Sequence, residues 1–323
     1  MNKILVLTQL KDDQIRGSST TEIVNAGIEH GHELYVADPK EISKSTGKKI
    51  IARTRRVVNT QITTNEMQHS SVLEEGVYTE IEAYDAVLMR IQSPFDVSYA
   101  FICSLLVEIS DKVLFVNDPR GILMVQEKIF PLSYPTLHPK TLISSDIFQI
   151  IEFVRDNKTA ILKPINNYQG NGIEKFTWDE NVSEKVKSFL SLNGTPIIVQ
   201  AFIEGVVKGD KRILLLDGKL IGAINRVPQS GNFIANTHSG GEAFVAEINE
   251  RDIEIVSLIA PELRANGLYF VGLDVIDGFL TEISTTSPAG IMRYRLMTGH
   301  SLGGAFWNCI DEKLRKFPHK LKT

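Results

Sequence analysis

The chain opens on a short aliphatic run at residues 4–7, turns polar, and then repeats apolar residues at helical spacing through Ile23, Ala26 and Ile28 until Gly31 closes the pattern. A second aliphatic run at 34–37 makes this a β-α-β opening. Strands are predicted again at 86–89 and 113–117, around a helical stretch at 97–110, which extends a parallel α/β layer to about residue 118. The intervening segment, 41–68, is rich in Lys, Arg, Thr and Asn and has no clear period. Arg53, Arg55 and Arg56 within it could form a phosphate patch, but a solvated edge strand or loop is the preferred reading of such a charge run.

Beyond Asn117 the pattern changes. AspProArgGly at 118–121 reads as a turn, and 122–130 as a short helix stopped by Pro131 and Pro135. Two strand-like segments, beginning at Tyr134 and His138, lead to a helix at 145–155. Strands follow at 160–162, 196–201 and 212–216. The last ends on the Asp217-Gly218 pair, a turn signal for a hairpin into 219–224. An amphipathic helix at 251–266 precedes two strands, PheValGlyLeuAspVal from Phe270 and LeuThrGluIleSer from Leu280, joined by a turn at Asp277 and Gly278.

A length of 323 residues exceeds one ordinary core, so two or three domains are expected, and 43% hydrophobic residues can fill them. Lys and Arg number 35 against 39 Asp and Glu, which argues against nucleic acid or a membrane surface and for small-molecule partners. Cys103 and Cys309 each sit in an apolar stretch, without the spacing of a disulfide framework or a zinc cluster, and are expected to be buried reduced thiols. The N-terminus lacks a signal-peptide pattern and no apolar run approaches 20 residues, so a cytoplasmic location is expected.

The chemistry concentrates in the second half. Asp274 and Glu282 lie on the two arms of the Asp277-Gly278 hairpin, a geometry that brings two carboxylates to one hard cation such as Mg2+, with ATP phosphates and water completing the shell. Two solvent-facing acids are the alternative. Lys163 ends the strand AlaIleLeuLysPro, beside a polar loop that contains Gly170 and Gly172, and is placed to hold phosphates. Lys128, read as helical, is a second phosphate contact or an ordinary surface lysine. Asp210, Lys211 and Arg212 open a strand, and Arg226 and the polar stretch 232–241 supply donors; His238 reads as a loop residue. GxxxxGK[ST], GxGxxG and GxSxG are all absent.

Taken together, Lys128 in GlnGluLysIlePhe, LeuLysPro at 162–164, GlyAspLysArgIleLeuLeuLeuAspGly at 209–218, AsnArgValProGln at 225–229, SerGlyGly at 239–241 and the run 270–288 resemble the bacterial glutathione synthetase family of ATP-grasp enzymes. SerSer at 18 and 19, GlyHisGluLeu at 31–34 and LeuMetArgIleGlnSerProPheAsp at 88–96 extend the resemblance almost end to end. It implies an α/β and α+β chain: an N-terminal Rossmann-like domain (1–120), a small central lid domain (121–197) and a C-terminal antiparallel-sheet domain (198–323), with ATP clasped between the last two.

By the same resemblance Lys128 and Lys163 bind ATP phosphates under the loop of Gly170 and Gly172. Gln200, Ala201, Phe202 and Ile203 meet adenine, and Asp210 sits near the nucleotide. Arg212 and Arg226 stabilise the phosphoryl group and acyl phosphate, while Asp274, Glu282 and Ser284 hold Mg2+, or Mn2+ in its place. The implied reaction joins γ-glutamylcysteine to glycine with release of ADP and phosphate, in a homo-oligomer. Four departures bear on this: the lid loop reads AsnTyrGlnGlyAsnGly at 167–172 in place of a GlyGly pair, AlaGlyIleMetArgTyrArg at 289–295 differs from the family's peptide site, and two single positions change. Ser284 stands where the family has Asn, and Ile234 where it has Arg. They keep two other readings open: a ligase for a different acid and amine, and a nucleotide-binding regulatory protein without turnover.

Overall fold

The computed structural model describes residues 1–12, 14–63, 68–165, 171–193, 196–235 and 241–317. Three large sheets organise them, beside a two-stranded ribbon of Leu10–Lys11 with Gln14–Ile15. In the first, the strands Leu114–Val116, Ala86–Met89, Lys3–Leu7 and Glu33–Ala37 lie side by side and parallel, in that order. Their residues are almost continuously buried, as aliphatic runs covered on both faces must be. The carboxyl ends of these strands open on one side of the molecule, where doubly wound sheets place their ligands.

The second sheet runs Thr141–Ser144, Ile197–Ala201, Thr159–Pro164, Glu174–Thr177, antiparallel throughout. The helices Ile147–Asn157 and Val182–Asn193 lie against it, and a separate apolar cluster forms beneath them around Ile150, Val154, Leu162, Val186 and Phe189.

The third sheet, also antiparallel, runs Glu242–Val245, Lys219–Val227, Asp210–Leu216, Phe270–Ile276, Phe279–Ser284. Both of its tight hairpins turn on an Asp-Gly pair with positive φ at each residue, Asp217 and Gly218 at 50° and 72°, Asp277 and Gly278 at 48° and 79°. Two successive left-handed residues make the turn twist with the strands, and Asp and Gly carry the least strain there. A capping box between Asn249 and Asp252 starts the helix Glu250–Ala265, whose apolar side packs into the same core as this sheet. No helix among the described residues is long and apolar enough to cross a membrane.

Several expectations are corrected. AspProArgGly is not a free turn: Asp118 caps the helix Pro119–Met124 by accepting from the Arg120 amide at 2.8 Å, with Pro119 in the first turn. That helix stops before Lys128, because the Gln126 amide turns back to donate to the carbonyls of Ile122 and Leu123, at 3.5 and 2.9 Å. Lys128 therefore sits in a turn rather than on a helix. Of the two strand-like segments expected next, only Thr141–Ser144 is a strand. The aperiodic segment is a 13-residue strand, Ile51–Thr63, paired on both sides, and Arg55 is buried in a fork with Glu41 at 2.6 and 2.8 Å. Arg53 and Arg56 keep 40% and 48% exposure, so the solvated reading holds for them alone. Cys103 is buried and Cys309 partly so; neither forms a disulfide.

Candidate active site

A cleft of about 630 Å3 runs between the carboxyl edge of the first sheet and the facing surfaces of the other two. Its floor is the hairpin Phe270–Ile276 with Phe279–Ser284, where pairing sets Asp274 directly opposite Glu282 and Gly272 opposite Ser284. Both acids and Ser284 face the cleft. The solvent-facing alternative for Asp274 does not hold, since its side chain is only 12% exposed.

The neighbouring strand brings in the cations. Arg212 is the register partner of Asp274 and grips its carboxylate in a fork, Nε to Oδ1 at 2.5 Å and Nη2 to Oδ2 at 2.9 Å. Arg226, one strand further, reaches Asp210 Oδ2 at 2.6 Å and Asp274 Oδ1 at 2.9 Å. Burial by itself drives the Asp274 carboxyl upward, but the two guanidiniums overcome it and hold Asp274 ionised. Asp210 has the weaker share of this charge. Burial dominates there and pushes its carboxyl up to about 6 against the pull of Arg226.

Across the cleft, Lys163 ends its strand pointing at Gln200, donating to Oε1 at 2.8 Å. Burial lowers its pKa, and the nearby Glu282 carboxylate opposes that shift. Glu282 is itself raised by burial, with Lys128 working the other way. Lys128 donates to the carbonyls of Pro164 and Ile165, at 3.4 and 3.1 Å, which ties the turn to the end of the Lys163 strand. At the far end Gln200, Ala201, Phe202 and Ile203 line the wall; Lys175 lies 3.6 Å from the Phe202 ring centroid, and Phe233 meets Phe202 edge-on. Gly172 sits at φ 68° beside Ile173, which lines the cleft. Gly170, His238, Ser239 and Gly240 lie outside the described residues.

Three cleft residues escaped the sequence reading of individual sites. Arg90 is buried at the end of the strand Ala86–Met89; it donates to Thr20 Oγ1 at 3.2 Å and the Pro288 carbonyl at 2.9 Å, and its Nη1 has no partner among the described residues. Burial pushes its pKa down to about 10. A charge closing an aliphatic run at the carboxyl edge of a parallel strand was the available signal. Glu127, next to Lys128, accepts on one oxygen from the amides of Thr285 and Thr286 and from the Thr286 hydroxyl, at 2.7, 3.1 and 3.0 Å, fixing the segment after Ser284. Arg293 enters from the helix Ile291–Thr298, and nothing in its spacing distinguished it.

The donor set suits a hard divalent cation with a polyphosphate. Two carboxylates on adjacent strands offer oxygen ligands, four cations surround them, and Asp210 Oδ1 is buried without a hydrogen-bond partner among the described residues.

Comparison with known proteins agrees. Residues 1–122 match the N-terminal domain model of prokaryotic glutathione synthetase, and residues 127–299 its ATP-grasp domain. The chain is 36% identical over 300 residues to the glutathione synthetase of Mesorhizobium japonicum, covering 93% of this chain and 94% of that one. It is 35% identical to that of Agrobacterium fabrum, with 97% of each covered. Among solved structures, the fold is similar to D-cycloserine synthetase DcsG, with TM-score 0.67 and 14% identity over 96% of this chain and 99% of that one. It is also similar to D-alanyl-alanine synthetase A of Vibrio cholerae, with TM-score 0.62 and 14% identity over 98% and 99%. With both halves matched in order around a cleft of paired acids and converging cations, the chain belongs to the prokaryotic glutathione synthetase family and has the ATP-grasp fold.

Proposed function

We propose that this protein is a glutathione synthetase, a ligase that uses Mg-ATP to join the cysteinyl carboxylate of γ-glutamylcysteine to the amine of glycine, releasing ADP and phosphate. The observation that carries the reading is the hairpin register that sets Asp274 against Glu282 beneath Arg212, Arg226, Lys128 and Lys163. Phosphoryl transfer to a carboxylate is mainly a matter of positioning and charge neutralisation, and this cleft concentrates both.

In this reading Asp274, Glu282 and Ser284 would hold Mg2+, which when bound would supply positive charge that neutralises the phosphates. Lys128 and Lys163 bind the phosphates, with Gly172 and the loop of Gly170 above them. Gln200, Ala201, Phe202 and Ile203 form the adenine wall. Arg212 and Arg226 sit where charge develops on the transferring group and on the acyl phosphate; Asp210 holds Arg226 in place. Arg212 and Arg226, which grip Asp274 here, would share its carboxylate with a bound cation and turn their remaining N–H groups to phosphoryl oxygens. Arg90 and Arg293, on the side of the first sheet, fit the carboxylates of the peptide acid.

A division into three units near 1–120, 121–197 and 198–323 is supported by the sheets and by the separate apolar cluster under the second, with the second break moved past Ala201, because the strand Ile197–Ala201 belongs to the second sheet. A cytoplasmic homo-oligomer completes the proposal; Val72, Val77 and Tyr78, exposed at 55%, 61% and 69% on strands flanking Ile51–Thr63, support self-association. Gel filtration against the 36.1 kDa subunit mass tests it.

The test of the activity is phosphate release from ATP with γ-glutamylcysteine and glycine. Release dependent on both supports the reading. A second reading, a ligase for another acid and amine, is favoured by Ser284 and Ile234, which both line the cleft. Release with a different pair alone would select it.

A further inference from the structure

We propose that His30, His32 and Asp311 form a second metal site, distinct from the cleft, that takes a divalent transition-metal ion such as Zn2+ and ties the last helix to the first sheet. His30 caps the end of the helix Ser18–Glu29, and His32 leads into the strand Glu33–Ala37. Gly31 between them has φ 89°, a left-handed turn that leaves both imidazoles on one side. Asp311 comes from the helix Gly303–Lys316, which packs against the first helix.

Asp311 Oδ2 stands 3.2 Å from His30 Nε2, and Oδ1 stands 3.4 Å from His32 Nε2. One ligand atom from each residue lies within 4.8 Å of the others. Ligands of a tetrahedral ion with bonds of ~2.0–2.1 Å are spaced roughly 3.3 Å apart, so each imidazole already stands near coordinating separation from an Asp311 oxygen, and small side-chain rotations would close the set. Two imidazoles and one carboxylate suit zinc and its neighbours far better than Mg2+.

Both imidazoles stand at ion-pair distance from Asp311, but only His30 also makes a hydrogen bond to it. The His32 side chain is only 4% exposed, and neither of its ring nitrogens makes a hydrogen bond among the described residues. Leaving a buried imidazole unsatisfied is unfavourable, and a metal bond would satisfy it. The ring is also held in place. It stacks on Trp307, with centroids 4.9 Å apart, and Trp307 is anchored by its own bond to the Ile23 carbonyl at 2.9 Å. His30 and Asp311, 28% and 26% exposed, leave an entry path and room for water ligands. None of the three residues lines the cleft.

The stack supplies a reporter. The chain has two tryptophans, so in a Trp178→Phe background the emission comes from Trp307. Stoichiometric Cu2+ or Co2+ should quench it, and Zn2+ at pH 7.5 should raise the melting temperature of EDTA-treated protein. His30→Gln and Asp311→Asn, at partly exposed positions, should each weaken Zn2+ at least tenfold, about 1.4 kcal/mol. Neither should alter the rate of Mg-ATP turnover. The proposal is overturned if the wild type shows no stoichiometric quenching, or if both variants bind Zn2+ as the wild type does, which would place binding elsewhere. Should Asp311→Asn fail to fold, His30→Gln decides alone.

Discussion

Glu282→Gln is the sharpest test of the paired acids, because it removes a charge while keeping the shape. Glu282 faces Asp274 across the hairpin, and burial raises its pKa in the folded state. The sign of the stability effect follows from that rise. Between the unfolded and folded pKa values the native state binds the additional proton, so stability falls as pH climbs through this window, and at neutral pH the ionised carboxylate is a net cost to folding. The amide removes this cost, offset in part by the lost attraction to Lys128 and Lys163. Metal-free Glu282→Gln at pH 7.5 is therefore expected to melt no lower than wild type. With Mg2+ the balance reverses. A unit charge about 4 Å from an ion is worth about 4 kcal/mol at an effective dielectric of 20, taken singly for an ion of unit charge. Allowing for water that replaces the lost ligand, about 2–3 kcal/mol should remain, a rise of roughly 30- to 160-fold in the Mg2+ concentration for half-maximal rate. The assay is phosphate release titrated with MgCl2 at fixed ATP, beside a melting curve. An unchanged half-saturating Mg2+ concentration in a normally folded variant would refute the paired-acid site.

Lys163→Ala should lower ATP affinity about tenfold, ~1.4 kcal/mol, and keep the fold, since it relieves burial of an ammonium; calorimetry with a melting curve checks both, and unchanged affinity removes Lys163 from the site. Ser284→Asn should reduce the Mg2+ needed for half-maximal rate by about 3- to 10-fold, because an amide carbonyl reaches a hard cation that a shorter hydroxyl meets through water; unchanged or weaker Mg2+ dependence means that Ser284 does not serve the metal. Asp210, raised to about 6, should lose its charge as pH falls through that value and release Arg226. The acid limb of kcat/KM for ATP near pH 6 should then disappear in Asp210→Asn, and a limb identical to wild type would assign it to another group.

The sequence by itself determined the elements with strong periodicity or unambiguous turn chemistry. The parallel strands are aliphatic because both faces are buried, and the two Asp-Gly pairs fix hairpins because left-handed backbone selects those residues. The second of these turns puts Asp274 and Glu282 on facing arms, as the sequence showed, but a two-residue turn alone would set Asp274 against Thr281; a β-bulge between Asp274 and Val275, visible only in the structure, brings it opposite Glu282. The strand Ile51–Thr63 was not, because its Thr, Arg and Asn residues carry no alternation and its stability comes from pairing on both sides and from the Arg55–Glu41 fork. The position of Lys128 likewise depended on Gln126 ending a helix that its apolar pattern would have continued. Tertiary structure alone decided how charge is shared in the cleft. Arg212, Arg226, Asp210 and Asp274 are separated by up to 64 positions in the chain, and only strand order makes them neighbours, with Asp274 held ionised and Asp210 driven up. Arg90 showed only as a charge closing an aliphatic run, and Glu127 and Arg293 were silent: a local pattern records which face of an element is buried, whereas a binding cleft is assembled from the ends of elements that the sequence keeps far apart.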